Sequence, residues 1–152
     1  MAQVLVLLGS EKDQVHLERG LPYFERFGIS YRLVVSSAHR QPDQTAALAK
    51  GAKGEGTQAI ICLAGMAAHL GGVVAAHTTL PVIGVPLGGS ALGGLDSLYS
   101  FVQMPVGVPV GTMAIGPSGF ANAVIFCAQI LALQDASIAG KLDNFKRELA
   151  AG

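Results

Sequence analysis

A single α/β domain, three layers deep with a central five-stranded parallel sheet in a flavodoxin-like or Rossmann-like arrangement, is the fold class this sequence predicts. Short apolar runs alternate along the chain with longer segments of helical spacing, and glycine or proline stands at most junctions. Length agrees: 152 residues, 51% of them hydrophobic, are enough for one domain with a sizeable core and too few for two. Residues 1–152 are therefore read as one domain.

The elements follow in order. Gln3 to Leu8 is an apolar run ending at Gly9, and Val15, Leu17, Leu21, Phe24 and Phe27 space a helix over about 13–27, stopped by Gly28. Ile29 to Val35 is a second strand; Pro42 suits the first turn of a helix running to about Lys53, and Gln58 to Leu63 is a third strand. After a loop over Ala64 to His69, the Ala- and Val-rich segment to Thr78 reads as helix. Leu80 to Val85 is a strand closed by Pro86, and Val110 to Ile115 is the last. Strands alternating with helices of this length imply right-handed crossovers and a sheet covered on both faces. Two helices finish the chain. The first, about 118–133, is apolar all round, which predicts burial on every side and hence a second subunit against its far face. The second, about 135–149, regains ordinary amphipathicity.

Ten Lys plus Arg balance ten Asp plus Glu, so no electrostatic footprint for nucleic acid exists. Charge placement says more than charge total: between Gly56 and Gln134 the only Asp, Glu, Lys or Arg is Asp96. A monomer normally exposes charged side chains over much of its surface, so this half of the chain predicts burial against other copies, a homo-oligomer. A membrane span needs roughly 18 consecutive apolar residues, and this region is broken by Gly71, Gly72, His77, Pro81, Pro86, Gly88 and Gly89. Met1 leads straight into a strand pattern with no export signal, an expectation of a cytoplasmic chain. Cys62 and Cys127 lie in apolar segments with no C-x-x-C or paired Cys/His spacing, so reduced buried thiols are expected and metal binding has no support.

In a parallel sheet the loops after the strands share one edge, where open α/β sheets keep their ligands. Four such loops stand out: Gly9 to Asp13, Ser37 to Arg40, Ala64 to His69, and Pro86 to Asp96. His39 and Arg40 sit side by side in the second, a group able to move a proton near neutrality beside one able to hold a fixed anion. This pairing points to a phosphorylated small molecule. Gly9 and Ser10 before a helix could present N–H groups and a hydroxyl to a phosphate, although a Ser there is also an ordinary cap. Arg40 could equally pair with Asp43. His16 and His77 read as helix residues without chemistry.

Gly9-Ser10-x-x-Asp13, Ser37-Ala38-His39-Arg40-x-Pro42-Asp43, Ala67-Ala68-His69-Leu70 and Asp96-Ser97-Leu98-Tyr99-Ser100 followed by Val102-Gln103-Met104-Pro105 occur in register along nearly the whole chain. The sequence resembles the N5-carboxyaminoimidazole ribonucleotide mutases of purine biosynthesis. The resemblance implies a flavodoxin-like subunit of an octamer, with no metal or organic cofactor, acting on a small-molecule ribonucleotide. It implies transfer of a carboxylate from the exocyclic nitrogen to ring carbon C4, with carbon dioxide held beside the ring between the two steps. It makes His39 the acid and base, and gives Ser10, Lys12 and Arg40 to the 5′-phosphate, Asp13 to the ribose hydroxyls and Ser37 to positioning. The loop of Ala64, Gly65, Met66, Ala68, His69 and Leu70 would line the carbon dioxide pocket.

Three positions depart from the family pattern: Lys12 stands where Ser is common, Met66 where Gly is usual, and Gly71 where Pro is frequent, read as a loosened turn. The alternatives are a direct carboxylase using carbon dioxide, or a paralogue acting on another ribonucleotide. Ala68-His69, where the animal-type carboxylases carry Ser-Asn, favours the mutase. A non-enzymatic binding module on the same fold is a further alternative. A receiver domain would want an acidic cluster at strand ends and a flavin carrier an aromatic sandwich, and neither is evident.

Overall fold

The computed structural model describes residues 1–152. Five parallel strands, β1 (Val4–Leu8), β2 (Tyr31–Val35), β3 (Ala59–Gly65), β4 (Val82–Leu87) and β5 (Gly111–Thr112), stand in the order β2-β1-β3-β4-β5. That is the flavodoxin-like order, with the topological switch between β1 and β3. Six α-helices connect and cover the sheet: α1 (Leu21–Phe27), α2 (Pro42–Ala52), α3 (Leu70–Ala76), α4 (Leu95–Val102), α5 (Pro117–Ala132) and α6 (Ala136–Ala151).

The pleat divides the strands between two cores. Val4, Val6, Leu8, Ile61, Leu63, Ile83 and Val85 face α1, α5 and α6 in one cluster, while Leu5, Leu7, Ile60 and Cys62 face α2, α3 and α4 in the other. Both faces of β1, β3 and β4 are thus buried, which is why these strands read as continuous apolar runs rather than alternating ones. β2 lies at an edge and is largely exposed; Tyr31 covers part of it by stacking on Phe24 at 4.3 Å.

Several elements differ from expectation for identifiable reasons. The helix expected over 13–27 is two pieces: a 3-10 turn, Glu11–His16, and α1. Pro22 would remove a hydrogen bond from the interior of one long helix but is accommodated in the first turn of α1. β4 passes through Pro86 instead of closing before it. Pro86 donates nothing, but the carbonyl on the same side accepts from Gly116 N–H at 2.9 Å, so its missing donor faces the flank beyond the end of β5 rather than β3. β5 is shorter than expected, because past Met113 N–H, which bonds Gly84 O at 2.8 Å, the chain turns away at Gly116.

α4 was not anticipated at all. Its fully buried Phe101 fills a notch left by two glycines: a Cβ on Gly71 would lie 2.5 Å from the ring, and one on Gly84 2.4 Å. Gly71 is therefore not a loosened turn but a buried position in α3 where a larger side chain would meet an aromatic ring. α5 buries Phe120, Val124, Cys127 and Leu131, yet leaves Phe126 and Leu133 exposed, so within one chain it is not surrounded. Cys62 and Cys127 are free and buried, as expected. No helix is long and apolar enough to cross a membrane.

Candidate active site

The carboxyl ends of β1, β2, β3 and β4 bring all four singled-out loops to one edge of the sheet. β1 and β3 flank the switch point, and there Gly9 N–H donates to Leu63 O at 2.9 Å, closing the first loop against the third. A Cβ on Gly9 would stand 3.3 Å from Ala64 and 3.6 Å from an Asp13 carboxyl oxygen, so the glycine keeps the backbone low between these residues.

Ser10 is the cap of the 3-10 turn: its hydroxyl accepts from Lys12 N–H at 3.3 Å, and Asp13 N–H donates to Ser10 O at 3.1 Å. The Ser10 hydroxyl is thus the cap of this turn. Burial raises the Asp13 carboxyl above its ordinary value, against the opposing pull of the Ser10 backbone and the His16 imidazole.

The second loop is a turn that satisfies itself. Gln41 N–H donates to Ser37 O at 2.7 Å, Arg40 N–H to the Ser37 hydroxyl at 3.2 Å, and Ser37 N–H to the Gln41 side chain at 3.3 Å. Beneath it the buried Ser36 and Thr45 hydroxyls meet at 2.7 Å, and Ser36 N–H continues the sheet to Leu8 O at 2.8 Å. Ser37 therefore braces the turn that carries His39. Arg40 does not pair with Asp43; the two ion pairs, Arg26 with Glu148 and Arg32 with Glu55, involve other residues.

His39 and His69 come from different loops and meet: His39 Nε2 lies 2.6 Å from His69 Nδ1, with the rings edge to face at 4.7 Å between centroids. One imidazole must donate and the other accept, so when both are neutral the pair holds one proton between the facing nitrogens. His69 is placed by a tight turn, His69 N–H to Ala67 O at 2.8 Å, immediately before α3. Both histidines are exposed, as are Lys12, Arg40 and Met66, whereas Ala64, Ala68 and Leu70 are buried beneath them.

No group of His, Cys, Asp and Glu side chains converges in a metal-holding arrangement. Two surface recesses, one of about 630 Å³ along α1 and the start of β2 and one of about 410 Å³ at the ends of α2 and α3, contain none of these residues. The sequence reading assigned no role to Ser97, which is fully buried and ties α4 to β4 through bonds to Leu87 O at 2.7 Å and Gly94 O at 2.9 Å. Nor did it give one to Ser90, whose hydroxyl donates to Asp96 at 2.8 Å.

An α/β domain with a histidine pair, an arginine outside any ion pair and a capped Gly-Ser turn around its switch point has the layout of the small-molecule enzymes and binders built at that edge. The match to known proteins is closer. The AIR carboxylase family model covers residues 3–151, and the chain belongs to that family. It is 49% identical over 144 residues to an N5-carboxyaminoimidazole ribonucleotide mutase of Brucella melitensis, covering 95% of this chain and 89% of that protein. It is 45% identical over 146 residues to the mutase of Escherichia coli K12, covering 96% and 86%. A crystal structure of Treponema denticola PurE superposes with a TM-score of 0.85 at 26% identity, covering 97% of this chain and 91% of that one.

Proposed function

We propose that residues 1–152 form one catalytic domain that acts as an N5-carboxyaminoimidazole ribonucleotide mutase, an isomerase of purine biosynthesis. The observation that carries this reading is the contact of His39 with His69 at the switch-point edge, within a chain almost half identical to proteins bearing that name.

The reaction moves a carboxylate between two atoms of one substrate, so it needs proton transfer and containment more than an external reagent. The exocyclic N–C bond breaks, its electron pair stays on nitrogen, and that nitrogen takes a proton from His39. The π electrons at C4 then attack the carbon of carbon dioxide. The C4 proton returns to His39 and restores the ring. The two transfers cancel, as an isomerase requires. A positioned imidazole serves both directions and contributes roughly 10²–10⁴-fold. His69 holds His39 in one orientation through the proton shared by the facing nitrogens, so the pair alternates between two protons, when both rings are neutral, and three.

Arg40, Lys12 and Ser10 bind the 5′-phosphate: Arg40 has no carboxylate partner, and the Ser10 hydroxyl can exchange its backbone bond for a phosphate oxygen. Asp13 accepts from the ribose hydroxyls, and Ala64, Gly65, Met66, Ala68 and Leu70 line the carboxylate end. The chain works in the cytoplasm as a homo-octamer. What supports assembly is the nearly uncharged stretch between Gly56 and Gln134, together with the exposed Leu92, Leu95, Tyr99, Val102, Val106 and Phe126 within it. Light scattering giving 15.6 kDa would contradict it.

The direct test is ultraviolet detection of the C4-carboxylated imidazole from two substrates: the N-carboxylated ribonucleotide at low bicarbonate, and the uncarboxylated one with bicarbonate. Fast turnover of the first alone is expected. Preference for the second would make the chain a direct carboxylase, and no product from either would refute both.

A further inference from the structure

Met66 is the only non-glycine residue whose backbone lies in the left-handed region, at φ 54°. Such a conformation is unfavourable for a side chain with a Cβ, and a glycine would adopt it freely. Packing within the chain does not repay the strain, because Met66 is 67% exposed there. The residue stands on the loop of β3, the central strand of the sheet, one position after Gly65 and three before His69.

Its neighbours make the contrast sharper. Between the end of β3 and His69 the chain reads Ala64-Gly65-Met66-Ala67-Ala68, so Met66 carries the only side chain longer than a methyl group. The adjoining loops offer Gly9 on one side and Gly88 on the other, where a Cβ on Gly65 would already stand 3.8 Å from the Gly88 carbonyl. The floor beside the histidine pair is therefore small and apolar, and Met66 brings to it the one long, flexible thioether. A thioether of that kind moulds itself to a flat or small apolar guest without offering a hydrogen bond.

We propose that Met66 is the apolar cap over the carbon dioxide held between the two chemical steps, retained against its backbone cost because it keeps the gas in and water out. This rests on the mutase reading. Once the N–C bond has broken, carbon dioxide is uncharged and small, and neither Arg40 nor the histidines can hold it by charge; only enclosure can. Escape leaves the protonated exocyclic amine, that is, the uncarboxylated ribonucleotide. Recapture forms the C4–C bond and gives the isomer. The ratio of these two products reads the cap directly.

The experiment supplies N-carboxylated ribonucleotide to the wild type, Met66→Gly, Met66→Leu and Met66→Gln, subtracts the loss seen without enzyme, and quantifies the two products. Denaturant midpoints are measured alongside. Met66→Gly should have the higher midpoint, its strain being relieved, yet release several-fold more uncarboxylated ribonucleotide per isomer formed. Met66→Leu should partition nearly as the wild type, and Met66→Gln, equally long but polar, should leak. Wild-type turnover with an unchanged ratio in Met66→Gly overturns the cap alone. A wild type that makes no isomer overturns the mutase reading and the cap with it.

Discussion

Gly71 and Gly72 are adjacent in α3, and replacing each by alanine should move stability in opposite directions. The gain common to both is the helix propensity of alanine over glycine, at most about 1 kcal/mol. The difference is what the new methyl meets. At Gly72 it would lie 3.1 Å from Met104 Cε and 3.3 Å from Sδ, the mobile end of a flexible side chain that can yield. At Gly71 it would lie 2.5 and 2.8 Å from two ring carbons of Phe101. That ring is fully buried, and its same edge is seated against Gly84, where a Cβ would lie 2.4 Å away, so it has little room to yield. Overpacking of this kind costs about 2–3 kcal/mol.

The net expectation is a loss of about 1–2 kcal/mol for Gly71→Ala and a gain of up to about 1 kcal/mol for Gly72→Ala. Urea titration followed by circular dichroism would read this as midpoints displaced to either side of the wild type at unchanged slope. Phe101→Leu supplies the internal control: in the Gly71→Ala background it should cost less than it does alone, since it removes the overlap. Because His69 immediately precedes α3, Gly71→Ala should also lower turnover, while Gly72→Ala should not. Equal stability of the two alanine variants would refute the notch.

His39→Asn should abolish isomer formation, by roughly 10²-fold or more, with the circular dichroism spectrum unchanged; retained activity would remove His39 from the chemistry. Arg40→Ala should raise KM far more than it lowers kcat, and steady-state kinetics on the N-carboxylated ribonucleotide would decide. For Asp13 the folded-state carboxyl titrates above its unfolded value because of burial, so the folded state binds the proton more tightly. Its contribution favours the fold at low pH and is lost as pH rises through the folded value. Asp13→Asn should therefore stabilise the chain at pH 7, by a margin that shrinks in acid, while weakening substrate binding. Ser97→Ala should cost about 1–3 kcal/mol by removing the hydroxyl donor of the Leu87 carbonyl, Gly94 O keeping its bond from Leu98 N–H, checked by the same urea titration. Cys62 and Cys127, whose thiols burial pushes up, should be inert to thiol reagents until the chain unfolds.

The layered α/β plan and the gathering of four loops at one sheet edge were legible because both follow from local patterns. Strands buried on two faces announce themselves as unbroken apolar runs, and the loops that follow parallel strands leave by the same edge. What was not legible depended on contacts across the fold. α4 is short and follows a glycine-rich loop, so it has little local signature, and its reason to exist is a ring fitting between Gly71 and Gly84 from two other elements. The meeting of His39 with His69, thirty positions apart, could be placed at the same edge but not at 2.6 Å without the register of β1, β2 and β3. Met66 carries the reverse lesson: its departure from the family glycine was visible in the sequence, and only the backbone angle showed that it has a conformational cost.

The site loops hold their shape with hydroxyls and main-chain bonds rather than with ion pairs; the carboxylate that takes part, Asp96, accepts from the Ser90 hydroxyl and not from a cation. Ser36 with Thr45, Ser37 with Arg40 N–H, and Ser97 with Leu87 O fix the frames of the second and fourth loops. Lys12 and Arg40 are consequently left without ion-pair partners. Had carboxylates done the bracing, each cation would have to break a pair before receiving a phosphate, and part of the binding energy would be cancelled. Neutral bracing avoids that loss and predicts a specific asymmetry. Ser37→Ala frees the turn without touching a charge, so it should lower kcat through a less ordered His39 while leaving the salt dependence of substrate binding as it was. Arg40→Ala should flatten that salt dependence while leaving kcat nearly unchanged. Measuring kcat and KM for both variants from 0.05 to about 0.5 M salt would separate the two roles. A Ser37→Ala variant that altered only the salt dependence would show that the serine binds phosphate and does not order the turn.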